Sequence, residues 1–376
     1  MPMTQAARPR QGSSTVHKKL FRSVAVFAVV LMSATGVFSS AEAEGATRAK
    51  TSVKSRSKAK TTVSAKKKRP SRYSSGRLSR ARRARARRAA AARARWLEAQ
   101  KPRFRTDDNG QLVPDVRAAA AIIYNPATGQ VLWEENSNNQ RSIASITKVM
   151  TAAVVLEDNP DLTQVVTVDR ADVYRANHTY LRANEKVSLQ DLLHLTLIAS
   201  DNAAARAMAR SWPEGYDAFI ERMNEKAQEL GLTNTQYTDP SGLESDNMAS
   251  AYDMARLITF AAGDERIASI MRMAHYVAHT NRRAINIHST NQLVMKGDVD
   301  VRGGKTGFIS KAGYCLATLL RLPQTNQQVA VVVLGAQSNA GRFMETRHLF
   351  NWLSSKAGDL LGTAAAVTPA AETAQP

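Results

Sequence analysis

The stretch Arg141-Ser142-Ile143-Ala144-Ser145-Ile146-Thr147-Lys148-Val149-Met150 runs on to Leu156 without a Gly or Pro. Its apolar residues Ile146, Val149, Met150, Ala153 and Val154 recur at i, i+3, i+4, i+7 and i+8, the period of a buried helix face. At ~100° per residue, Ser145 and Lys148 stand one turn apart along the edge of that arc. Burial lowers the pKa of a lysine. An amine held beside a hydroxyl on a dry surface can therefore take the serine proton and make the oxygen nucleophilic. Alone, the Ser-x-x-Lys spacing is weak, because it also marks ordinary helix starts. Its partners decide the reading.

Two partners lie downstream: Ser200-Asp201-Asn202, and then Lys305-Thr306-Gly307. Their side chains supply what an acyl transfer needs. Ser145 attacks a carbonyl, Lys148 accepts its proton, and Ser200 passes a proton to the leaving amine. Asn202, Lys305 and Thr306 are expected to bind substrate, the last two as a cation and a hydroxyl for a carboxylate. Gly307 lets the substrate backbone lie close. The backbone N–H groups of Ser145 and Phe308 are expected to form the oxyanion hole.

Working outward, Ala118–Tyr124 and Gln130–Glu135 are strand-like and joined by the turn Asn125-Pro126-Ala127-Thr128-Gly129. Val165–Val168 is a short β-branched run. Ser188-Leu189-Gln190-Asp191 has the form of a capping box and opens a buried helix through Ile198. Further helices are expected over Ala203–Arg210, over Tyr216–Leu230 with Gly231 closing it, and after Ser250. Strands follow around Tyr276–Thr280, Gly313–Leu320 and Val329–Gly335, and a last helix over Ala340–Ser354. Strands at both ends and helices between them predict an α/β (α+β) domain: one antiparallel sheet built from both ends, helices on both faces, and an inserted helical lobe.

Ser-x-x-Lys, Ser-Asp-Asn and Lys-Thr-Gly in this order are the signature of penicillin-binding proteins and class A β-lactamases. From about Ala118 to Leu353 the chain resembles the serine D-alanyl-D-alanine peptidases, the low-molecular-mass penicillin-binding proteins. Within that family it is most similar to the endopeptidases of the penicillin-binding protein 7 type. The shared-looking stretches are Ser142–Val149, Gly215–Gly231, Asp239-Pro240-Ser241-Gly242-Leu243, Ser289-Thr290-Asn291-Gln292-Leu293 and Lys305–Cys315. The resemblance implies an active site in a cleft between sheet and helical lobe. It also implies D-alanyl bonds of peptidoglycan stem peptides as substrate and β-lactams as inhibitors. Phe308 stands where several carboxypeptidases of the family carry His, which points toward the endopeptidase branch.

The ends of the chain differ from its middle. Lys18, Lys19 and Arg22 precede an apolar run Val24–Met32 and a small-x-small site, Ala41-Glu42-Ala43, so residues 1–43 read as a signal peptide, with an uncleaved anchor as the alternative. Export follows, with a periplasmic or envelope location. Residues 44–105 form a basic Lys/Arg/Ala/Ser arm; from 46 to 105 it holds 23 Lys and Arg against one acid, Glu98. It is expected to be disordered, with the part around Leu78–Gln100 able to turn helical on a partner. The remaining residues, 106–376, sum to −5, so the chain's net charge of +20 belongs to the arm. An exported arm of this kind suits an anionic envelope polymer or membrane surface, and no nucleic acid is expected. Residues 106–357 form the enzyme domain and 358–376 a loose tail.

Rival chemistries find less support. Cys315 is the only cysteine and sits in an apolar run, as a small buried hydrophobe would. His275 and His279 are four apart, but no Glu follows His275 as a metalloprotease base, so no metal and no cofactor is expected. His194 reads as a satisfied polar group. A class A β-lactamase would share all three motifs but needs a Glu to activate the deacylating water, and Glu244, the nearest candidate, lacks the usual context. A non-catalytic penicillin or peptidoglycan sensor is the alternative of another kind.

Overall fold

The computed structural model describes residues 72–99 and 101–361. The expected signal peptide, the first part of the arm and the tail beyond 361 lie outside the described residues. Helix α1 (Arg72–Ala99) covers most of the rest of the arm; Ala and Arg are both strong helix formers, and its described side chains are exposed. Where the sequence predicted disorder with latent helicity, the structure has a helix.

The folded body begins earlier than expected. Strand β1 (Phe104–Thr106) pairs antiparallel with β2 (Leu112–Pro114), so Phe104 and Arg105, assigned by sequence to the arm, belong to the body. The Phe104 ring stands edge-on to His348 with centroids 4.9 Å apart, and His348 Nε2 is 2.7 Å from the Arg103 carbonyl.

Next come β3 (Ala120–Asn125), β4 (Gln130–Glu135) and β5 (Arg141–Ser142). A single 3-10 turn (Ala144–Ile146) leads into α2 (Thr147–Val155). The helical lobe follows: β6 (Val165–Thr167), α3 (Arg170–Val173), β7 (Lys186–Ser188), α4 (Leu189–Leu197), α5 (Asn202–Arg210) and α6 (Tyr216–Glu229). After β8 (Met248–Ala249) come α7 (Ala251–Gly263), α8 (Glu265–Arg272), the hairpin β9 (His275–His279) and β10 (Ala284–His288), and α9 (Gln292–Lys296). The chain returns through β11 (Asp300–Ile309), β12 (Gly313–Arg321) and β13 (Gln328–Ala336) to α10 (Asn339–Ser355) and α11 (Ala357–Leu361).

One antiparallel sheet, in the order β11-β12-β13-β3-β4, joins the two ends of the domain as expected. Its inner strands are buried on both faces and read as continuous apolar runs. In β3, Ile122 belongs to the core shared with the helical lobe, while Ala121 and Ile123 belong to a second core with Phe343, Leu349 and Leu353 of α10. The sheet therefore carries α7 on one face and α10 on the other. Among the described residues no helix is long and apolar enough to cross a membrane.

Local signals placed the helices well. Ser188, Ser250 and Asp201 each accept a bond from the backbone N–H three residues on, at the starts of α4, α7 and α5. The Ser188 cap is one-sided: the Asp191 carboxylate accepts the Ser188 hydroxyl and the Tyr276 phenol. Several strands escaped the sequence reading, β11 and β10 among them. β11 carries three glycines, a composition depleted in strands, and exists because β12 supplies its ladder. β10 is short and forms by pairing with β9.

Candidate active site

Ser145 sits in the 3-10 turn just ahead of α2, one turn before Lys148 on the helix itself. Every residue of α2 is buried, and Lys148 is fully so. Its Nζ lies 3.0 Å from Ser145 Oγ and also donates to Asn202 Oδ1 at 2.5 Å and to the Ser241 carbonyl. Burial pulls the amine down to about 7; the charges of Asp239 and Asp201 hold it up against that pull, and Arg206 adds slightly to the fall.

The second cluster faces the first. Lys305 comes from the middle of β11 and is buried; its Nζ donates to Ser200 Oγ at 2.8 Å and to the Thr306 carbonyl at 2.9 Å. Burial lowers its pKa well below the ordinary lysine value, and the nearby charges of Lys148 and Arg342 push the same way. Ser200 holds φ +61°, a left-handed backbone unusual for a residue with a side chain. Next to it, buried Asp201 ties down the neighbouring loop, accepting from Tyr180 N at 2.6 Å and Thr179 Oγ1 at 3.0 Å.

Between the clusters lies a cleft of about 630 Å³ lined by Ser145, Ser200, Asn202, Thr306, Gly307 and Phe308, among others. Gly307 fixes how closely β11 approaches the nucleophile. A Cβ there would fall 2.5 Å from the Ile143 carbonyl and 3.2 Å from Ser145 N, so only glycine lets the strand lie against the turn. The structure thus brings Ser145, Lys148, Ser200, Asn202, Lys305, Thr306, Gly307 and Phe308 to one cleft. A hydroxyl with a buried, easily neutralised amine on it can form an ester with a carbonyl carbon, and the second hydroxyl–amine pair can return a proton.

The sequence family described as D-alanyl-D-alanine carboxypeptidase, peptidase S11, matches residues 107–338. The chain belongs to this family. It is 32% identical over 246 residues to the D-alanyl-D-alanine endopeptidase of Escherichia coli, covering 64% of this chain and 79% of that one. It is 30% identical to the D-alanyl-D-alanine carboxypeptidase DacF of Bacillus subtilis, over 64% and 62% of the two chains. Among solved structures it resembles the Streptomyces K15 DD-transpeptidase, with a TM-score of 0.60 and 27% identity over 64% of this chain and 97% of that one.

Several residues of this peptidase S11 cleft were given no role by the sequence, although Asp239–Leu243 and Ser289–Leu293 stood out as shared-looking stretches. Asp239 gathers Ser241 N at 2.9 Å, Gly242 N at 3.0 Å and Glu244 N at 3.2 Å, with the Ser241 hydroxyl and the Asn247 amide. That knot aims the Ser241 carbonyl at Lys148, and Thr151 Oγ1 holds the Pro240 carbonyl at 2.6 Å from the helix side. A turn stretch was visible in the sequence, but a backbone carbonyl has no residue-type signature. Thr290 Oγ1 lies 2.6 Å from Thr306 Oγ1. Arg342 of α10 reaches the cleft, donating to the Gly307 carbonyl at 2.9 Å and to the Cys315 carbonyl at 3.1 Å, while its buried Nε has no partner. Burial pulls its guanidinium down to about 10.

Other expectations can be placed too. Asn202 lines the cleft, but both ends of its amide are engaged, with Lys148 and with the Ala176 carbonyl at 2.7 Å. Its first task is to hold the amine. His194 is partnered by the Gln190 carbonyl at 2.7 Å and stacks on Tyr276, and burial lowers its pKa. Cys315 is buried in β12, with its thiol pushed up to about 11. Glu244 is not among the residues lining the cleft.

Proposed function

We propose that this chain is an exported serine DD-peptidase that hydrolyses D-alanyl bonds of peptidoglycan through an ester on Ser145, cutting cross-links in preference to trimming a terminal D-Ala. The observation that carries it is the buried Lys148 amine, 3.0 Å from Ser145 Oγ and held near neutrality. Ser145 Oγ attacks the D-alanyl carbonyl as its proton passes to Lys148 Nζ. The N–H groups of Ser145 and Phe308 take the developing oxyanion. Collapse breaks the C–N bond, and the amine leaves with a proton from Ser200, which Lys305 stands behind at 2.8 Å. Water then attacks the ester, and Ser145 leaves as a hydroxyl.

Lys305, Thr306 and Arg342 form the carboxylate-binding side of the cleft. Among the described residues their cations have no carboxylate partner within the site, so the charge of an incoming carboxylate offsets the desolvation that lowers both. The preference for cross-links rests on the endopeptidase names of the relatives from Escherichia coli, Pseudomonas aeruginosa and Haemophilus influenzae, of which this chain spans 79–80%. Peptidoglycan as substrate is consistent with residues 1–43 acting as a signal peptide, and the basic arm suits an anionic envelope polymer or membrane face.

The test incubates the protein with a labelled penicillin and, separately, with purified cross-linked peptidoglycan read by mass. A stable adduct and loss of cross-linked dimers are expected. Both vanish in Ser145→Ala, with a rate loss of roughly 10⁴–10⁶. Fast penicillin hydrolysis would mean a β-lactamase, and absence of both reactions a binding module.

A further inference from the structure

The histidines of the β9–β10 hairpin are related by strand register, which sequence spacing hides. His275 and His279 lie four apart, a spacing that would bring them together on a helix. On a strand it sets them ~13 Å apart. The register instead puts His275 directly across from His288. The backbone bonds Thr280 N to Arg283 O at 2.9 Å and Ser289 N to Ala274 O at 2.8 Å fix which pairs are hydrogen-bonded. Counting from either end, His275 and His288 form a non-hydrogen-bonded pair, the class whose Cα atoms come within about 4.5 Å and whose side chains stand closest.

Both residues are exposed, and exposure alternates along each strand, so both imidazoles leave the same outer face. The inner face is anchored: Tyr276 donates to Asp191 Oδ1 at 3.0 Å and stacks on His194 at 3.9 Å. The strand pair is therefore held before any ligand arrives, and little ordering remains to oppose binding.

We propose that His275 and His288 form a two-histidine site for a divalent transition metal, with Zn²⁺ the natural fit to neutral imidazole nitrogens at ~2.0–2.1 Å. Among the described residues no three or more His, Cys, Asp or Glu side chains converge on a metal, so water fills the other positions. The site sits close to the cleft along the chain. Two residues after His288, Thr290 N bonds the Ile198 carbonyl at 3.1 Å and Thr290 Oγ1 meets Thr306 Oγ1. A metal clip across the strands braces the segment that enters the active site.

Titration of the untagged, metal-free full chain with Zn²⁺ by calorimetry tests this. The wild type is expected to bind with a stoichiometry that includes one site weakened in both His275→Ala and His288→Ala. The affinity of that site falls roughly tenfold or more in either variant, because the second imidazole acts at high effective concentration. His279→Ala, on the same face but out of reach, should bind as the wild type does. Unchanged penicillin labelling shows that each variant is folded, and Zn²⁺ should raise the melting temperature of the wild type and His279→Ala alone. Equal affinity in the wild type and His275→Ala, or an equal loss in His279→Ala, would overturn the site.

Discussion

Lys148 and Lys305 are both buried amines, yet their neighbours assign them different work. Lys148 touches Ser145, the proposed nucleophile, and its pKa near 7 leaves a neutral fraction at working pH. Lys305 touches Ser200 and, on the proposed reading, serves to bind a substrate carboxylate. Lys148→Arg should abolish penicillin acylation, because arginine keeps its proton, whereas Lys305→Arg should keep part of it. Acylation rates of the two variants decide this, and the reverse ranking would exchange the roles. In the wild type acylation should climb as pH rises through about 7, where the Lys148 amine becomes neutral. Stability should move the same way. The unfolded lysine titrates near ~10.4, so between that value and about 7 the unfolded chain holds more protons, and stability rises with pH across the window. Lys305, lowered in the same direction, adds to the slope. Denaturant midpoints at pH 7 and pH 9 should differ in the wild type and differ less in Lys148→Met.

Strand β11 and the turn holding Ser145 come from opposite ends of the domain, and they touch where β11 has no side chain. Gly307→Ala would drive a Cβ to 2.5 Å from the Ile143 carbonyl, a backbone atom tied in turn to the Asn247 carbonyl through Ile143 N at 3.1 Å. Neither backbone can yield without moving Ser145 N. The variant should fold, because the β11–β12 ladder is intact, yet lose acylation by roughly 10²-fold or more, the cost of a misplaced oxyanion donor. Labelling rate and near-UV circular dichroism together check both halves of that expectation; full activity would mean that the approach of β11 is not what aligns the site. The same element shows why the strand was hard to read. Its glycines, which argue against a strand in isolation, are what let it lie against α8, Asn291 and the catalytic turn.

At the scale of the whole molecule, charge and fold separate. The arm from 46 to 105 carries 23 Lys and Arg against one acid, an excess larger than the chain's whole net charge of +20, while the remaining 106–376 is mildly acidic. Deleting residues 46–101 should leave kcat/KM on a small soluble peptide unchanged, since no residue of the cleft precedes Ser145. It should slow digestion of insoluble peptidoglycan and abolish a salt-sensitive retention on isolated envelopes, because exposed charges are screened within ~8 Å at physiological ionic strength. Extending the deletion through Thr106 is a different experiment. It removes β1, the Phe104–His348 contact and the Arg103 carbonyl that His348 meets, and should cost about 1–3 kcal/mol of stability in a denaturant titration. Equal stability of the two truncations would return the boundary to residue 106.

By itself the sequence pointed to the enzyme class and to the longer helices and strands. A helix period, a capping serine or an Asn-Pro turn acts over a few residues, so α2, α4, α6, α7 and the β3–β4 hairpin could be read locally. The three motifs were legible because their side-chain types are the reagents. Tertiary structure alone decided what depends on partners distant in the chain. β11 is a strand because β12 lies beside it. The Lys148 amine is held by a carbonyl at Ser241, and a carbonyl is present in every residue. Arg342 looks like any helical arginine until α10 packs against the sheet and points it at Gly307. His275 meets His288 and not His279 because pairing register, which is set by the whole hairpin, overrides distance along the chain.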